Sequence, residues 1–162
     1  MQNDDSEIIV SIVIPIYNAG VYIVRCIESL KAQSMKELEF IFVDDCSEDE
    51  SMEPVNEWAS ADPRVKVVRN EQNLGEGGSR NRGIEAAQGI YINTIDPDDW
   101  VAPDYYELLY TKAEQTGADI VKGTRIKHIT IICKGWGLHL LNILLRDLKK
   151  SLFLLVSKWT IF

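Results

Sequence analysis

Near its start the chain reads Ile8-Ile9-Val10-Ser11-Ile12-Val13-Ile14, and this run of mostly β-branched residues stops at Pro15-Ile16-Tyr17-Asn18. A short apolar run bounded by turn-forming residues is typical of a strand that is buried on both faces. After the loop, apolar residues recur from Val21 to Leu30 at the spacing of a helix that buries one side. The stretch therefore predicts a buried strand, a loop and a covering helix, the unit from which parallel sheets are built.

The same alternation of strand and helix patterns continues along the chain. Further strands are predicted at 38–43, 65–69 and 91–95, with helical patterns between them at 50–59 and 79–87. This spacing favours a parallel sheet whose right-handed crossovers cover both faces. In such sheets ligands bind beyond the carboxyl ends of the strands. We therefore expect the loops after the first, second and fourth strands to meet at one edge and form a site.

An acidic segment, Asp96-Pro97-Asp98-Asp99-Trp100, follows the fourth predicted strand and places three carboxylates within four residues. Carboxylates this close repel one another, and a divalent cation such as Mg²⁺ or Mn²⁺ relieves the repulsion by taking oxygen ligands, often together with substrate phosphates. The alternative is an acidic turn in which Asp96 forms an Asx turn before Pro97 and Asp99 faces solvent. This segment alone leaves both interpretations open.

Four segments in this order resemble the nucleotide-binding motifs of family 2 inverting glycosyltransferases. They are residues 11–18, 42–47, 73–75 with 79–83, and 96–100. The resemblance covers roughly residues 8–122. It implies an α/β fold of the GT-A (Rossmann-like) type, with a mainly parallel sheet flanked by helices, a nucleotide-diphosphate sugar as donor, and a divalent metal, Mn²⁺ or Mg²⁺. It also favours the metal interpretation of the acidic segment.

The resemblance implies roles for individual residues. The loop with Pro15 and Tyr17 would border the nucleobase, where a tyrosine ring can supply a flat contact. Asp45 would accept a hydrogen bond from an N–H of the base, as an acceptor-only carboxylate can. Asp98 would bind the metal, and Asp96 would lie nearer the ribose or behind the metal ligands.

Arg80 is expected at the start of the helix predicted from residue 79, where the helix N-terminus and a guanidinium could together face donor phosphate. Arg82 is the alternative, and either arginine could instead pair with Glu76 or Glu85 on a solvated face. The stretch Gly75-Glu76-Gly77-Gly78 lacks the Lys-Ser/Thr of a P-loop, so we interpret it as a flexible turn.

The cysteines indicate the redox environment. Cys26, Cys46 and Cys133 show no C-x-x-C spacing, which favours a reducing, cytoplasmic location over a disulfide framework. Cys46 also stands where the resembled motif commonly has Gly, which leaves the tightness of the turn after Asp45 open. Asp44, beside it, is expected to tie this loop rather than to bind a ligand.

Charge changes sharply along the chain and suggests two parts. Residues 1–123 hold 10 Lys and Arg against 24 Asp and Glu, a net charge of −14, whereas residues 124–162 hold seven basic residues and a single acid, Asp147. We therefore predict a nucleotide-sugar-binding GT-A domain at 1–123 and a basic, Leu-rich helical tail at 124–162. The resemblance implies that the family continues there with an acceptor-binding half that carries the general base. We expect that half to be incomplete, with Asp147 a poor base.

The Leu-rich segment at 138–155 has the spacing of an amphipathic basic helix. Such a helix can cap the sheet, lie on an anionic membrane surface at the inner face of the membrane, or bind a partner. No uncharged apolar run approaches the roughly 20 residues that a membrane-spanning helix needs. A translated frameshift or truncation remnant is another explanation of the change in composition.

Together the sequence predicts a domain that binds a nucleotide-diphosphate sugar and a divalent metal for glycosyl transfer to a saccharide or lipid-linked acceptor. The competing hypothesis is a non-catalytic module that binds the donor but lacks the base. A net charge of −8 argues against nucleic acid as a partner.

Overall fold

The computed structural model describes residues 7–124 and 129–134. The sheet is built around four parallel strands: β1 (Val10–Ile16), β2 (Leu38–Asp44), β3 (Val65–Arg69) and β4 (Tyr91–Thr94). The helices are α1 (Tyr22–Lys31), α2 (Met52–Ala61), α3 (Gly75–Ala86) and α4 (Tyr105–Thr116). A hairpin of β5 (Ile120–Thr124) and β6 (Ile129–Lys134) completes a six-stranded sheet. The predicted α/β fold with a mainly parallel sheet is confirmed.

The strand order is β3-β2-β1-β4-β6-β5. From β1 the chain moves outward through β2 to β3, and α3 then carries it back across the sheet to β4 on the other side of β1. The strand order thus reverses between β1 and β4. In open α/β sheets such a reversal opens a crevice at the carboxyl ends of the two strands, because their following loops turn to opposite faces.

Helices cover both faces of the sheet, as the alternation of side chains along β1 requires. Ile12 and Ile14 belong to the larger core with α1, α2 and α4. Val13 points to the opposite face, where a smaller core holds side chains of β2, α3 and β4: Ile41, Val43, Ile84 and Ile92. Among the described residues, α3 is the helix that covers the face on which the crossover back to β4 runs.

The helix α3 lies unusually close to the sheet, and Gly83 permits this. A Cβ atom at Gly83 would stand 2.2 Å from Val13 Cγ1 and 3.0 Å from Val43 Cγ2. Both distances are below ordinary van der Waals contact, so no larger residue fits without a shift of the helix. The backbone of α3 is consequently seated against β1 and β2 at a fixed distance.

A buried ionic cluster lies at the amino ends of the strands. The Glu39 side chain is 1% exposed, accepts hydrogen bonds from Ser11 Oγ (2.6 Å) and Gln88 N (2.5 Å), and pairs with Lys66 Nζ at 2.6 Å. Burial alone would raise the pKa of Glu39, but Lys66, Ser11 and the Gln88 amide together lower it. We call these four residues the Glu39 cluster. It ties the starts of three strands to the turn that leads into β4.

Two sequence expectations about the helices need correction. The segment Gly75–Gly78, expected to be a flexible turn, forms the first turn of α3, so Arg80 lies in the second turn and not at the helix start. Glycine has low intrinsic helix propensity, but packing of the helix on the sheet outweighs it. The Asn73 side chain also accepts a hydrogen bond from Gly75 N at 3.0 Å, which stabilises the first turn.

Residues 124–162 were predicted to form a helical tail, and this is wrong for residues 129–134. They form the strand β6, which lies between β4 and β5. The run Ile129-Thr130-Ile131-Ile132 is rich in β-branched residues, which favours a strand. The Leu-rich helix predicted at 138–155 lies outside the described residues, and the division into two domains stays a prediction. Across 7–124 and 129–134, no helix has the length and apolar character needed to cross a bilayer.

Candidate functional site

A cavity of about 410 Å³ opens where the strand order reverses. Its volume lies in the range of pockets that hold small ligands. Five residues singled out from the sequence line it: Pro15 at the end of β1, and Tyr17, Asp45, Asp96 and Asp98 in the loops after β1, β2 and β4. The expected convergence of these three loops is thus observed. The first turn of α3 and the loop before it close the cavity from the side.

Asp45 is held from several directions although its side chain carries a charge. It is 2% exposed, and its Oδ1 atom accepts hydrogen bonds from Leu74 N and from Asn70 Nδ2, both at 2.8 Å. Burial would raise the pKa of Asp45, but these bonds, with others from Ser79 and the Gly75 amide, lower it. The carboxylate therefore stays ionised at neutral pH and anchors the start of α3 to the end of β2.

The loop after Asp45 keeps a tight turn despite the cysteine. Cys46 adopts a φ of 66°, in the left-handed region that favours glycine. The question that the cysteine raised about this turn is thus answered: the residue takes the strained conformation. Asp44 accepts a hydrogen bond from Ser47 N at 2.9 Å, which confirms that it ties the loop.

Arg80 links two carboxylates at the edge of the cavity. Its Nη2 atom lies 2.7 Å from Asp96 Oδ1 and also contacts Glu76, four residues earlier on α3. The expected alternative of pairing with Glu76 is thus observed, together with the unexpected partner Asp96. Arg82 instead lies near Glu85 at 3.8 Å, with both side chains largely exposed. Of the two arginines, Arg80 is the one beside the cavity.

Asp98 lies exposed at the cavity, and no hydrogen bond or ion pair joins its carboxylate to another described residue. The described ranges contain no group of three or more His, Cys, Asp or Glu side chains arranged to hold a metal ion. A cation at Asp98 would thus take most of its ligands from water or a bound phosphate, which suits a hard ion such as Mg²⁺.

Aromatic side chains flank the cavity. Tyr17 lines it and is 56% exposed, so its ring is free for contact with a flat ligand group. Trp100 is 45% exposed, and the Arg25 guanidinium lies 3.2 Å above its ring. The two rings therefore form exposed surface near the acidic segment.

Several residues that shape the cavity were given no role at the site from the sequence, although Asn73 and Ser79 lie in the resembled motifs. Asn73, Glu76 and Ser79 line it, and Asn70 bridges Asp45 to Ser79 by donating to both oxygens at 2.8 and 2.9 Å. Glu76 belongs to the glycine-rich segment that was interpreted as a turn, and Asn73 and Ser79 lie on either side of that segment. A helical assignment of that segment would have placed them beside Asp45.

The charge of the cavity is strongly negative. Four carboxylates line it, those of Asp45, Glu76, Asp96 and Asp98, and the described lining residues include no Lys, Arg or His. Arg80 alone among the residues named above brings a positive charge to its edge. An anionic ligand would therefore need a cation to accompany it, because the unscreened repulsion of several carboxylates disfavours its approach.

Comparison with known proteins agrees with this architecture. Residues 1–349 of S. aureus TarS in complex with UDP-GlcNAc share 26% sequence identity and superpose with a TM-score of 0.66, covering 74% of this chain and 37% of that TarS fragment. The mannosyltransferase PcManGT of Pyrobaculum calidifontis in complex with GDP-Man and Mn²⁺ has a TM-score of 0.65 over 72% of this chain and 35% of its own, and at 22% identity it shows a shared fold.

Two curated relatives are more similar in sequence. The glycosyltransferase GlyG of Streptococcus pneumoniae is 39% identical over 115 residues, which are 71% of this chain and 38% of GlyG. The succinoglycan biosynthesis protein ExoO of Rhizobium meliloti is 42% identical over 111 residues, 68% of this chain and 31% of ExoO. The chain thus spans between 31% and 38% of the length of these two relatives.

The model of glycosyl transferase family 2 matches residues 11–152. From the sequence motifs, the resemblance to this family was expected to end near residue 122. The family match continues beyond that point, to residue 152. A match over this much of the chain, together with the fold and the ordered motifs, identifies its family: the chain belongs to glycosyl transferase family 2.

Proposed function

We propose that this chain binds a nucleotide-diphosphate sugar together with a divalent cation, Mn²⁺ or Mg²⁺, and serves glycosyl transfer to a saccharide or lipid-linked acceptor. The observation that carries the proposal is the convergence of Pro15, Tyr17, Asp45, Asp96 and Asp98 on one cavity. Support also comes from TarS, which was captured with UDP-GlcNAc, and from ExoO, a protein of succinoglycan biosynthesis.

The nucleoside would occupy the part of the cavity between β1 and β2. Tyr17 offers an exposed ring for a flat contact with the base. Asp45 is ionised and held rigidly, so it can accept an N–H from the base without losing its bonds to Leu74 and Asn70. Because a rigid acceptor discriminates better than a mobile one, we assign base selection to Asp45.

The diphosphate would occupy the part of the cavity near Asp98 and Arg80. The donor set fits a hard divalent cation, because carboxylate and phosphate oxygens are its preferred ligands and the Asp98 carboxylate has no described protein partner. We assign Asp98 to the metal and Asp96 to the ribose or the ordering of nearby groups. When bound, the cation supplies charge neutralisation for the diphosphate leaving group.

Transfer by inversion also needs a base within hydrogen-bond reach of the acceptor hydroxyl. Asp147, the carboxylate side chain considered from the sequence, lies outside the described residues. The proposal therefore assigns donor and metal binding to named residues and leaves the base unassigned. A cytoplasmic location is part of the proposal, supported by Cys26 and Cys46, which form no disulfide within the described part of the chain.

Isothermal calorimetry with uridine, guanosine and thymidine diphosphates and their sugars, each with and without Mn²⁺, tests the proposal. We expect one base to bind best and the affinity to rise with Mn²⁺. If no nucleotide binds under either condition, the proposed function is wrong. A panel of saccharide acceptors with the preferred donor then separates a transferase from a module that only binds the donor.

Asp98→Ala should remove most of the gain in affinity that Mn²⁺ provides, because it deletes the proposed protein ligand of the cation. Loss of a metal ligand is expected to cost at least about tenfold in metal-dependent affinity. Asp99→Ala, one residue away, is the control and should do less. Equal binding of the nucleotide-sugar to the unmodified chain in Mn²⁺ and in excess chelator would contradict the metal assignment.

A further inference from the structure

We propose that Glu76 is a positioning residue that holds Arg80 away from the donor phosphates and so sets how strongly donor binding depends on the divalent cation. This inference rests on the proposed function. Glu76 was expected only as a solvated ion-pair partner, whereas the structure places its carboxylate in the lining of the cavity.

The contacts of Arg80 carry the argument. A single atom, Nη2, serves both Asp96 Oδ1, at 2.7 Å, and the carboxylate of Glu76. The Nε atom of the same side chain is buried and has no hydrogen-bond partner among the residues that the structure describes. Arginine presents five N–H donors in a planar fork, so this arrangement uses little of its capacity. The guanidinium is held by carboxylates on both sides and is not fully satisfied.

The same contacts give Glu76 an electrostatic effect on the donor. A diphosphate that enters the cavity must compete with Glu76 for Arg80, and it also meets the negative charge of Glu76 itself. Both effects oppose binding when the phosphates keep their full charge. A divalent cation on the phosphates reduces both, because the complex carries less negative charge. Glu76 should thus penalise nucleotide binding without metal more than binding with metal.

A purely structural role for Glu76 makes a different prediction. Glutamate in the first turn of a helix interacts favourably with the helix dipole, and an exposed pair four residues apart adds little more. Either effect would change the melting temperature. Neither would change the ratio of nucleotide affinities with and without cation.

The test compares Glu76→Gln with Glu85→Gln, which removes the same charge from the same helix next to Arg82 and outside the cavity lining. The dissociation constants of UDP, GDP and dTDP are measured in Mn²⁺ and in excess chelator for both variants and the unmodified chain. Glu76→Gln should bind the preferred nucleotide in chelator about two- to fivefold more tightly, the range expected for one partly screened charge. The ratio of the two constants should fall, and Glu85→Gln should leave it unchanged.

Several results would overturn the inference while leaving donor binding intact. One is an unchanged ratio in Glu76→Gln, with or without a lower melting temperature, which would assign Glu76 to helix stability alone. Another is an equal shift in Glu85→Gln, which would show a general effect of net charge. Failure of the unmodified chain to bind any of the three nucleotides would instead overturn the proposed function, and this inference with it.

Discussion

Carboxylates have different surroundings at the two ends of the central strands. At the amino ends, Glu39 is surrounded by its partners Lys66, Ser11 and the Gln88 amide, and its charge is compensated inside the protein. At the carboxyl ends, four carboxylates line a cavity, and Arg80 is the cation that contacts two of them. The comparison teaches that the amino end uses charge to stabilise the fold, whereas the carboxyl end leaves charge for a ligand to compensate.

The largest expected effect concerns the amino end. Glu39→Gln should lower the free energy of unfolding by about 2–4 kcal/mol, because it leaves Lys66 without its counter-ion and Ser11 and Gln88 with a weaker acceptor. The lower part of that range is favoured, since the Lys66 side chain is 35% exposed and screened by water. Denaturant unfolding gives the free energy. Nucleotide affinity should be unchanged, and a large loss of affinity would break the proposed separation between the two ends.

The pH dependence of stability sharpens the same prediction. The pKa of Glu39 is lower in the folded protein than in the unfolded chain, so its contribution is fully present above the unfolded value of about 4.3. That contribution is lost as the pH falls through the lower folded pKa. The difference in stability between the unmodified chain and Glu39→Gln should therefore narrow below about pH 4. A constant difference from pH 7 to pH 3 would show that the charge of Glu39 is not the cause.

Asp45 is expected both to stabilise the fold and to bind the nucleotide, and the variant Asp45→Asn tests these two roles. The change should weaken nucleotide binding by about 10- to 100-fold, as expected for loss of a charge-assisted hydrogen bond in a buried site. It should also lower the melting temperature, because Leu74 and Asn70 lose a charged acceptor. Asp44→Asn is the control, since Asp44 binds its own loop and does not line the cavity. Unchanged affinity and base preference would restrict Asp45 to anchoring α3.

The smallest expected effect on stability comes from Cys46, a residue with a strained backbone in the loop after β2. Cys46→Gly should raise the free energy of unfolding by up to about 1 kcal/mol, since glycine adopts the observed φ of 66° without the steric cost. Thermal unfolding would show an increase of about 2–4 °C. Ser47→Gly, at the next position with an ordinary φ, should instead lower stability. If both variants are destabilised alike, Cys46 carries no strain.

Much of this architecture follows from the sequence, and the exceptions have physical reasons. β3 was predicted with its observed bounds, because Val65–Arg69 is a compact β-branched run between polar segments. The start of α3 was missed, because glycine propensity argues against a helix and only packing on the sheet supplies the compensating stability. Local sequence patterns predict a strand or helix well when the intrinsic preferences of its residues decide the conformation. They predict it less well when tertiary contacts outweigh those preferences.

The site shows the same division. The loops with Tyr17, Asp45 and Asp98 could be placed together, because strand direction fixes which edge a loop joins. The contact of Arg80 with Asp96 could not be predicted from the sequence, since it depends on the distance between α3 and β4 across the sheet. β6 was missed as a strand for a related reason: its antiparallel pairing with β4 depends on a hairpin that no turn motif indicated.

The lack of a side chain at Gly83 sets the distance between α3 and the sheet, and with it the width of the cavity. Since the backbone of α3 rests directly on the side chains of Val13 and Val43, the span from Arg80 to the acidic segment depends on these two valines and on the lack of a side chain at Gly83. Gly83→Ala without a compensating change is therefore expected to push α3 away from Val13 and widen the cavity, at some cost in stability.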